Sequence, residues 1–560
     1  MKMKIILFLL VIFFIIKVDL LKLSDPDRND KNDRGKRIRR TKICILGAGS
    51  SGIAAAVTLQ EKWKETDFLL VDAQSFIGGR VQHKAFGKKT IELGANWIYG
   101  EENNPIYELA IKHQLKMIPS DKKNVVYFGQ SQGPISKAEA QNVSTLFDKT
   151  MDALVQMADK RIKLGQVDLS TRTALKLLNW KPDTPLKAAI EYFGINWEFA
   201  ETAEVASMEY ASGIGTSISS NPTNYFIVDP NGFNSIFKKE ASRILHEDDD
   251  RLLLNTVVTE VNYDNDSDSD LVTILTEDGT TIIADIVICT FSLGVLQNQE
   301  LVKFKPEFPL WKQESLNAFH MATYTKIFVK FEEKFWNDWE FALFASNNTK
   351  HGDDYTVWQA LKGSGYEEDE NILLVTTTYK ESEKIENKNK ELVKQEIFQT
   401  LKYMYPHIKN TTLLFPIDII IPIWKNHPYF HGSYSNWPIG MNIQHHDNIR
   451  APLPVPTSSS SSKIPRLWFS GEAYSRQYYG YLHGSYIEGI NTADTIANCF
   501  LKEKNSECLP YLYHPIVTGC SNDMNANQRK VLSLRYPSNI VNPYVDLNHQ
   551  KLQFSFSTHP

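Results

Sequence analysis

The stretch KICILGAGSSGIAAAVTLQEKWKETDFLLVD, Lys42 to Asp72, restricts the fold more than any other part of the chain. A short β-like run, Ile43–Leu46, leads directly into glycines at Gly47, Gly49 and Gly52 and then into a helix-like run, Ser51–Lys64. A second apolar run, Phe68–Val71, ends on Asp72, 20 residues past Gly52. Strand, turn, helix and strand in that order predict a dinucleotide-binding βαβ unit. Gly47 suits the tight turn, Gly49 lets a pyrophosphate approach the backbone, and Gly52 lets the helix lie close on the strand. The helix N-terminus offers free N–H groups and a positive dipole end to phosphate. Asp72 can take a pair of ribose hydroxyls, which argues against NADP.

The rest of the chain must fit around this unit. With 560 residues, 42% hydrophobic and 23% charged, it can bury a large core and is expected to form more than one domain. A net charge of −5 gives no global basic character, so nucleic acid is not expected as a partner, and no metal site is expected. At the N-terminus, MKMK precedes the apolar run Ile5–Ile16 and then Lys17, the layout of a secretory signal and too short for a comfortable membrane span. We expect a signal peptide over 1–22, with a retained anchor as the alternative, and a flexible leader over 23–41. Asn142, Asn265, Asn347 and Asn410 open N-x-S/T sequons, which fit a secreted, extracellular glycoprotein. Cys44 and Cys289 lie in apolar runs and read as buried thiols, whereas Cys499, Cys508 and Cys520 allow one local bridge. The serine run Ser458–Ser462 reads as a surface insertion.

Two further pieces extend the logic of the first. Gly78, Gly79 and Arg80 follow Asp72 after a short loop, and ELGANWIYG, Glu92 to Gly100, follows them. Alone, two glycines and an arginine are a turn beside a surface charge. Just after a βαβ unit, the glycines admit a cofactor and Arg80 can give a charge-assisted bond to a phosphate. Late in the chain, LWFSGEAYSRQYYGYLHGSYIEGINTADTIA, Leu467 to Ala497, again runs from a short strand through a glycine and acid, Gly471 and Glu472, into a helix expected from near Ser485. A second helix N-terminus suits the far end of an extended cofactor.

The order GAGSSG, D-x5-GGRV, ELGANW, SLGVL (Ser292–Leu296), YTKIFVKF (Tyr324–Phe331), SNWPIG (Ser435–Gly440), FSGE and GYLHG resembles the flavin-containing amine oxidases, most of all the secreted plant polyamine oxidases. The resemblance covers about Lys42 to Cys508. It implies an α/β (α+β two-domain) fold: a Rossmann-like FAD-binding domain from 42–120, 215–318 and 434–505, interleaved with a substrate-binding domain of mixed sheet and helices from 121–214 and 319–433. Residues 506–560 would be a C-terminal extension. It further implies FAD held along Gly47, Gly49, Gly52, Asp72, Gly79 and Arg80, with the backbone of Val258 at the adenine and Glu472 and Tyr481 around the flavin. The family usually has Glu where Asp72 stands.

Period-two spacing puts Tyr324, Lys326, Phe328 and Lys330 on one strand face, and two lysines on a face ordinarily mean solvent. The resemblance reverses this for Lys326 alone, whose counterpart holds a water against flavin N5. It likewise places Trp424, Tyr434 and Tyr481 around the flavin ring and substrate amine, and Glu198 as a tunnel carboxylate; on residue type alone these aromatics, like Trp97, would be core and Glu198 a solvent-facing acid. Where the plant enzymes carry a substrate-facing carboxylate, this chain has Tyr99, which puts specificity in doubt. The implied activity is oxidation of a polyamine such as spermine or spermidine with O₂ as acceptor, by a monomer or weak dimer. A monoamine or L-amino-acid oxidase, and a non-catalytic secreted flavoprotein, are the alternatives.

Overall fold

A computed structural model of the chain describes residues 37–120, 124–130, 132–210, 223–246, 248–263, 271–347, 355–361, 371–453 and 465–501. The signal, the leader up to residue 36, Asn265, the serine run, Cys508, Cys520 and the C-terminal extension lie outside them.

The apolar runs flanking the glycines form two parallel strands, Ile38–Leu46 and Phe68–Val71, in register from Ile43 with Phe68 to Leu46 with Val71. Ile43, Ile45, Leu46 and Leu70 are wholly buried, as expected of strands covered on both faces. The first strand starts at Ile38, so the last residues of the expected leader are strand; Thr41 is pinned there by its hydroxyl bond to Asp67. These strands belong to an eight-stranded sheet collected from three stretches of chain. Leu252–Leu253 flanks Phe68–Val71, and Thr281–Cys289, Val272–Thr276, Val258–Asn262 and Lys303–Lys305 continue on the other side. Leu467–Phe469 adds in parallel to Thr281–Cys289, pairing Cys289 with Phe469. The two late β-like runs are thus neighbours beside the glycine turn.

The expected helix over Ser51–Lys64 is a regular α-helix only over Ser50–Val57 and widens into a π-helical turn over Thr58–Lys62. The Thr58 hydroxyl bonds back to the Ala54 carbonyl at 2.7 Å, a competitor to the backbone ladder where the register changes. The late helix runs over Leu482–Ile496, starting three residues before the expected Ser485, because Ser485 N–H closes its first turn on the Tyr481 carbonyl. It lies directly against the first helix: a Cβ on Gly489 would come within 2.2 Å of the Ser51 carbonyl.

A second, seven-stranded sheet orders Asp418–Ile420, Tyr324–Lys330, Ile372–Thr378, Val357–Ala360, Phe341–Ala345, Val125–Gly129 and Gly133–Pro134. Ile327 and Val329 turn to one side, into a core shared with Val393, Ile397 and Leu401 of the helix Lys390–Met404. The opposite side, with Phe328, Phe341 and Leu343, packs on the helical segment around Phe147 and Ile190. The face holding Lys326 is therefore interior. A small three-stranded sheet, in the order Trp97–Tyr99, Asn224–Ile227 and Met117–Pro119, carries Tyr99 opposite Asn224. Among the described residues no helix is long and apolar enough to cross a membrane.

Candidate active site

At the first glycine turn, Gly47 has φ +109°, and a Cβ there would meet Thr290 Oγ1 at 2.3 Å. A Cβ on Gly52 would come within 1.9 Å of the Gly47 carbonyl, so this glycine sets helix against turn. Gly49 differs: the nearest atom to its added Cβ is Gly79 Cα at 3.8 Å, which leaves an open cradle. The helix beginning there has no side-chain cap, and the buried hydroxyl of Ser50 has no partner among the described residues. Unpaired donors around an open cradle fit the pyrophosphate of a dinucleotide. Asp72 accepts from Ala48 N at 2.7 Å and Gln74 N at 2.8 Å. Burial raises its carboxyl above the usual range while those two bonds act to lower it. Asp72 thus also braces the turn, with lone pairs left over for a ribose.

The remaining pieces meet at Glu472. Its Oε1 accepts from Arg80 Nη1 at 3.0 Å, and its Oε2 from Gly480 N at 2.8 Å and Ser435 Oγ at 2.5 Å. Arg80 Nη1 also reaches the Ser433 carbonyl at 2.9 Å. The arginine expected at a phosphate is therefore partly engaged in tying the first and last motifs together; its Nε and Nη2 remain without a partner among the described residues.

Gly47, Gly49, Asp72, Gly79, Arg80, Val258 and Glu472 all line one cavity of about 580 Å³, and so do Lys326, Glu198, Tyr99, Trp424, Tyr434 and Tyr481. Gly52 alone of the expected residues lies behind its wall.

Lys326 is 6% exposed and donates from Nζ to the carbonyls of Gly94 and, at 3.4 Å, Glu92. Burial pulls its amine down to about 7, with Glu92 acting in the other direction. It is an interior amine able to exchange a proton at neutral pH. Lys330, at the strand's end, is half-buried and does not line the cavity.

Glu198 sits on the short helix Trp197–Phe199, which ends where Ala200 adopts φ +58°. It is half-buried rather than solvent-facing, and its carboxylate accepts from Tyr481 Oη at 3.2 Å. Tyr434 Oη donates to the Glu198 carbonyl at 3.2 Å, and Tyr99 meets Tyr481 edge to face at 5.0 Å. Burial first, then the Glu198 charge, holds the Tyr99 and Tyr481 hydroxyls well above the usual phenol range. The result is one carboxylate bordered by neutral phenols, a setting that attracts a cation both directly and through ring faces. Trp424 is buried on a loop that Glu386 fastens: the carboxylate accepts from Lys425 N at 2.8 Å and from Thr325 Oγ1 at 2.7 Å, beside Lys326.

Three residues go beyond the expected set. Tyr324 lines the cavity with its ring 5.7 Å from that of Tyr434, and its signal was its period-two spacing from Lys326. Ser435 bonds Glu472, and the Glu92 carbonyl accepts from Lys326; they lie in the SNWPIG and ELGANW stretches, where nothing local distinguishes them from ordinary strand residues.

Residues 50–497 match the family described as "Flavin containing amine oxidoreductase". Among relatives, "Polyamine oxidase 6" of Oryza sativa subsp. japonica is 35% identical over 483 residues, 83% of this chain and 92% of that protein. "Polyamine oxidase 1" of Zea mays is 34% identical over 485 residues, 82% of this chain and 91% of that protein. A solved structure of putrescine oxidase, wild type bound to putrescine, shares the fold with a TM-score of 0.64 at 16% identity, covering 82% of this chain and all of the other. With the glycine cradle, the Glu472 junction and the interior lysine on one cavity wall, the chain belongs to the flavin-containing amine oxidoreductases, and is an oxidoreductase with FAD as its cofactor.

Proposed function

We propose that the protein is a secreted polyamine oxidase, acting on spermine- or spermidine-type amines and reducing O₂ to H₂O₂. The observation that carries the reading is the carboxylate of Glu198 bordered by Tyr99, Tyr434 and Tyr481 in the same cavity as Lys326. A polyamine presents a reacting nitrogen with further cationic nitrogens along its length. Such a chain needs an anion and ring faces away from the reacting carbon.

Gly47, Gly49, Gly79, Arg80, Asp72 and Val258 would hold FAD, and FAD when bound accepts the hydride that leaves the carbon beside the nitrogen. The protein orients the amine by Glu198 and the tyrosines, while Trp424 walls the cavity. Lys326 holds a proton at Nζ or releases it, so a substrate ammonium can become the neutral amine that reacts. The imine product is then hydrolysed to an aldehyde and an amine. An amino-acid substrate would want an arginine forked on its carboxylate; among the described residues lining the cavity, Arg80 is the one arginine, and it is paired with Glu472.

Secretion is supported by the signal-like N-terminus and by the exposure of Asn142, Asn347 and Asn410 in three of the sequons. The deciding experiment expresses the full chain in a eukaryotic host and assays H₂O₂ release with spermine, spermidine, a monoamine and L-amino acids. Turnover of spermine or spermidine by glycosylated protein from the medium supports the reading. Turnover confined to monoamines or amino acids, or a cytosolic product retaining Met1, overturns the corresponding part.

A further inference from the structure

Behind the cavity wall is a second ionisable group to which the reaction above gives no task. Glu92 is 3% exposed, and its backbone carbonyl accepts from Lys326 Nζ. Its Oε1 accepts from Phe233 N at 2.7 Å, while Oε2 is buried with no hydrogen-bond partner among the described residues. Across the hairpin of His83–Phe86 and Lys89–Glu92, His83 is the direct partner of Glu92, which puts both side chains on one face. His83 Nδ1 is likewise buried without a partner, and packs on Gly232, whose added Cβ would lie 2.2 Å away. Gly232 and Phe233 are consecutive, so a carboxyl group and an imidazole converge on one turn, each with a polar atom left over. An interior carboxylate with an unmet oxygen is costly to keep charged unless a cation stands near, and Lys326 is such a cation.

We propose that Glu92 is a positioning residue for the oxidation: its carboxyl group and the Lys326 amine act as one unit that sets whether Lys326 can take a proton from a substrate ammonium. When Nζ takes the proton that the substrate ammonium gives up, the Glu92 carboxylate offsets the charge formed on the amine, and no counter-ion need be drawn into the interior. The inference rests on Lys326 lying beside the flavin. Burial pushes Glu92 up to about 8, opposed by the bond from Phe233 and then by Lys326, with Asp229 adding to the rise. Lys326 sits at about 7, with Glu92 as its opposing charge, so the two titrate as a coupled pair. The outer groups are Asp229, which holds the turn through Asn231 N, and His83, lowered by burial and then by Lys238.

The test is a pH titration of the oxidised flavin absorbance in the resting holoenzyme, free of substrate. A midpoint near 7 that Lys326→Met abolishes reports the lysine. Glu92→Gln keeps an acceptor for Phe233 N–H but removes the charge, and the midpoint should fall by about one pH unit, the lower end of the effect of a nearby opposite charge. Glu92→Asp should restore it. Equal midpoints in parent and Glu92→Gln, both holding flavin, overturn the proposal. Absence of a Lys326-dependent midpoint in the parent overturns instead the placement of Lys326 beside the flavin.

Melting temperature against pH provides a second arm, which needs neither turnover nor a folded Glu92 variant. Because the folded-state value of Glu92 is raised from its ordinary 4.5, its contribution is full below 4.5 and is lost as pH rises through about 8. Lys326→Met removes the opposing charge. The Lys326 amine, lowered from 10.5 to about 7, contributes with the opposite sign over that window, so its own linkage is subtracted before parent and Lys326→Met are compared; the loss that remains should deepen and extend to higher pH. Superimposable curves for parent and Lys326→Met after that subtraction overturn the coupling.

Discussion

Arg80 and Glu472, 392 residues apart in sequence, form an ion pair at 3.0 Å on the wall of the cavity. The Arg80 side chain is 22% exposed and that of Glu472 7%, so the pair is partly sheltered and joins the GGR turn to the strand of Ser435 and the loop of Gly480.

Arg80→Ala leaves the Glu472 carboxylate short of its only charged partner among the described residues. A charge-assisted bond of this kind is worth about 2 kcal/mol, and any phosphate contact of the free guanidinium nitrogens is lost with it. Flavin retained after dialysis should fall well below that of the parent, measured as the absorbance ratio of flavin to protein. Stoichiometric retention in the variant removes Arg80 from the cofactor site.

Gly49→Ala and Gly52→Ala should separate ligand space from packing. The Gly52 methyl would run into the Gly47 carbonyl backbone at 1.9 Å and the turn must shift, costing about 1–3 kcal/mol of stability along with the flavin. The Gly49 methyl enters open space, so the fold should melt as before while flavin binding weakens. Calorimetry beside flavin titration of the flavin-stripped proteins checks both. Full flavin affinity in Gly49→Ala would show that the cradle is not where the pyrophosphate lies.

Lys326→Met removes a placed proton-transfer group, and flavin reduction or reoxidation should slow by about 10²–10⁴-fold with flavin content near that of the parent. Lys330→Met, at the half-exposed strand end, should change rates by less than about twofold. The parent's reduction rate should fall as pH drops below about 7, because protonated Lys326 can no longer accept a proton. That limb should be missing in Lys326→Met. Stopped-flow traces of the two half-reactions across pH provide the measurement; equal rates in parent and Lys326→Met return this lysine to a structural role.

Glu198→Gln leaves an acceptor for Tyr481 Oη but removes the charge offered to a substrate cation. The affinity for spermine should drop about tenfold or more, the scale of a hydrogen bond to a charged group. Tyr99→Glu adds a second carboxylate beside Tyr481 and should tighten binding of the longer, more highly charged amines relative to a diamine. Steady-state KM and kcat for spermine, spermidine and putrescine check the pair, and unchanged KM ratios in both variants would place substrate recognition elsewhere.

Short-range order in the chain was sufficient for the first βαβ unit, because a strand, a glycine turn and a helix are local structures whose residues are determined by spacing and φ. The same holds for the strand status of Asp285–Cys289 and Leu467–Phe469, and for Gly52, which answers to the Gly47 carbonyl of its own turn, whereas Gly47 answers to Thr290, 243 residues on. Lys326 shows where local reading stops. A period of two says which side chains share a face with it, but not what covers that face; only the packing of Phe328, Phe341 and Leu343 against the helical segment makes it interior, and only burial brings the amine to about 7. The partners of Arg80, the neutral phenols around Glu198 and the Glu92–His83 pair were equally out of reach. Each depends on groups that meet across turns or across hundreds of residues, and both hydrogen-bond satisfaction and dielectric environment are properties of the folded arrangement, not of sequence neighbours.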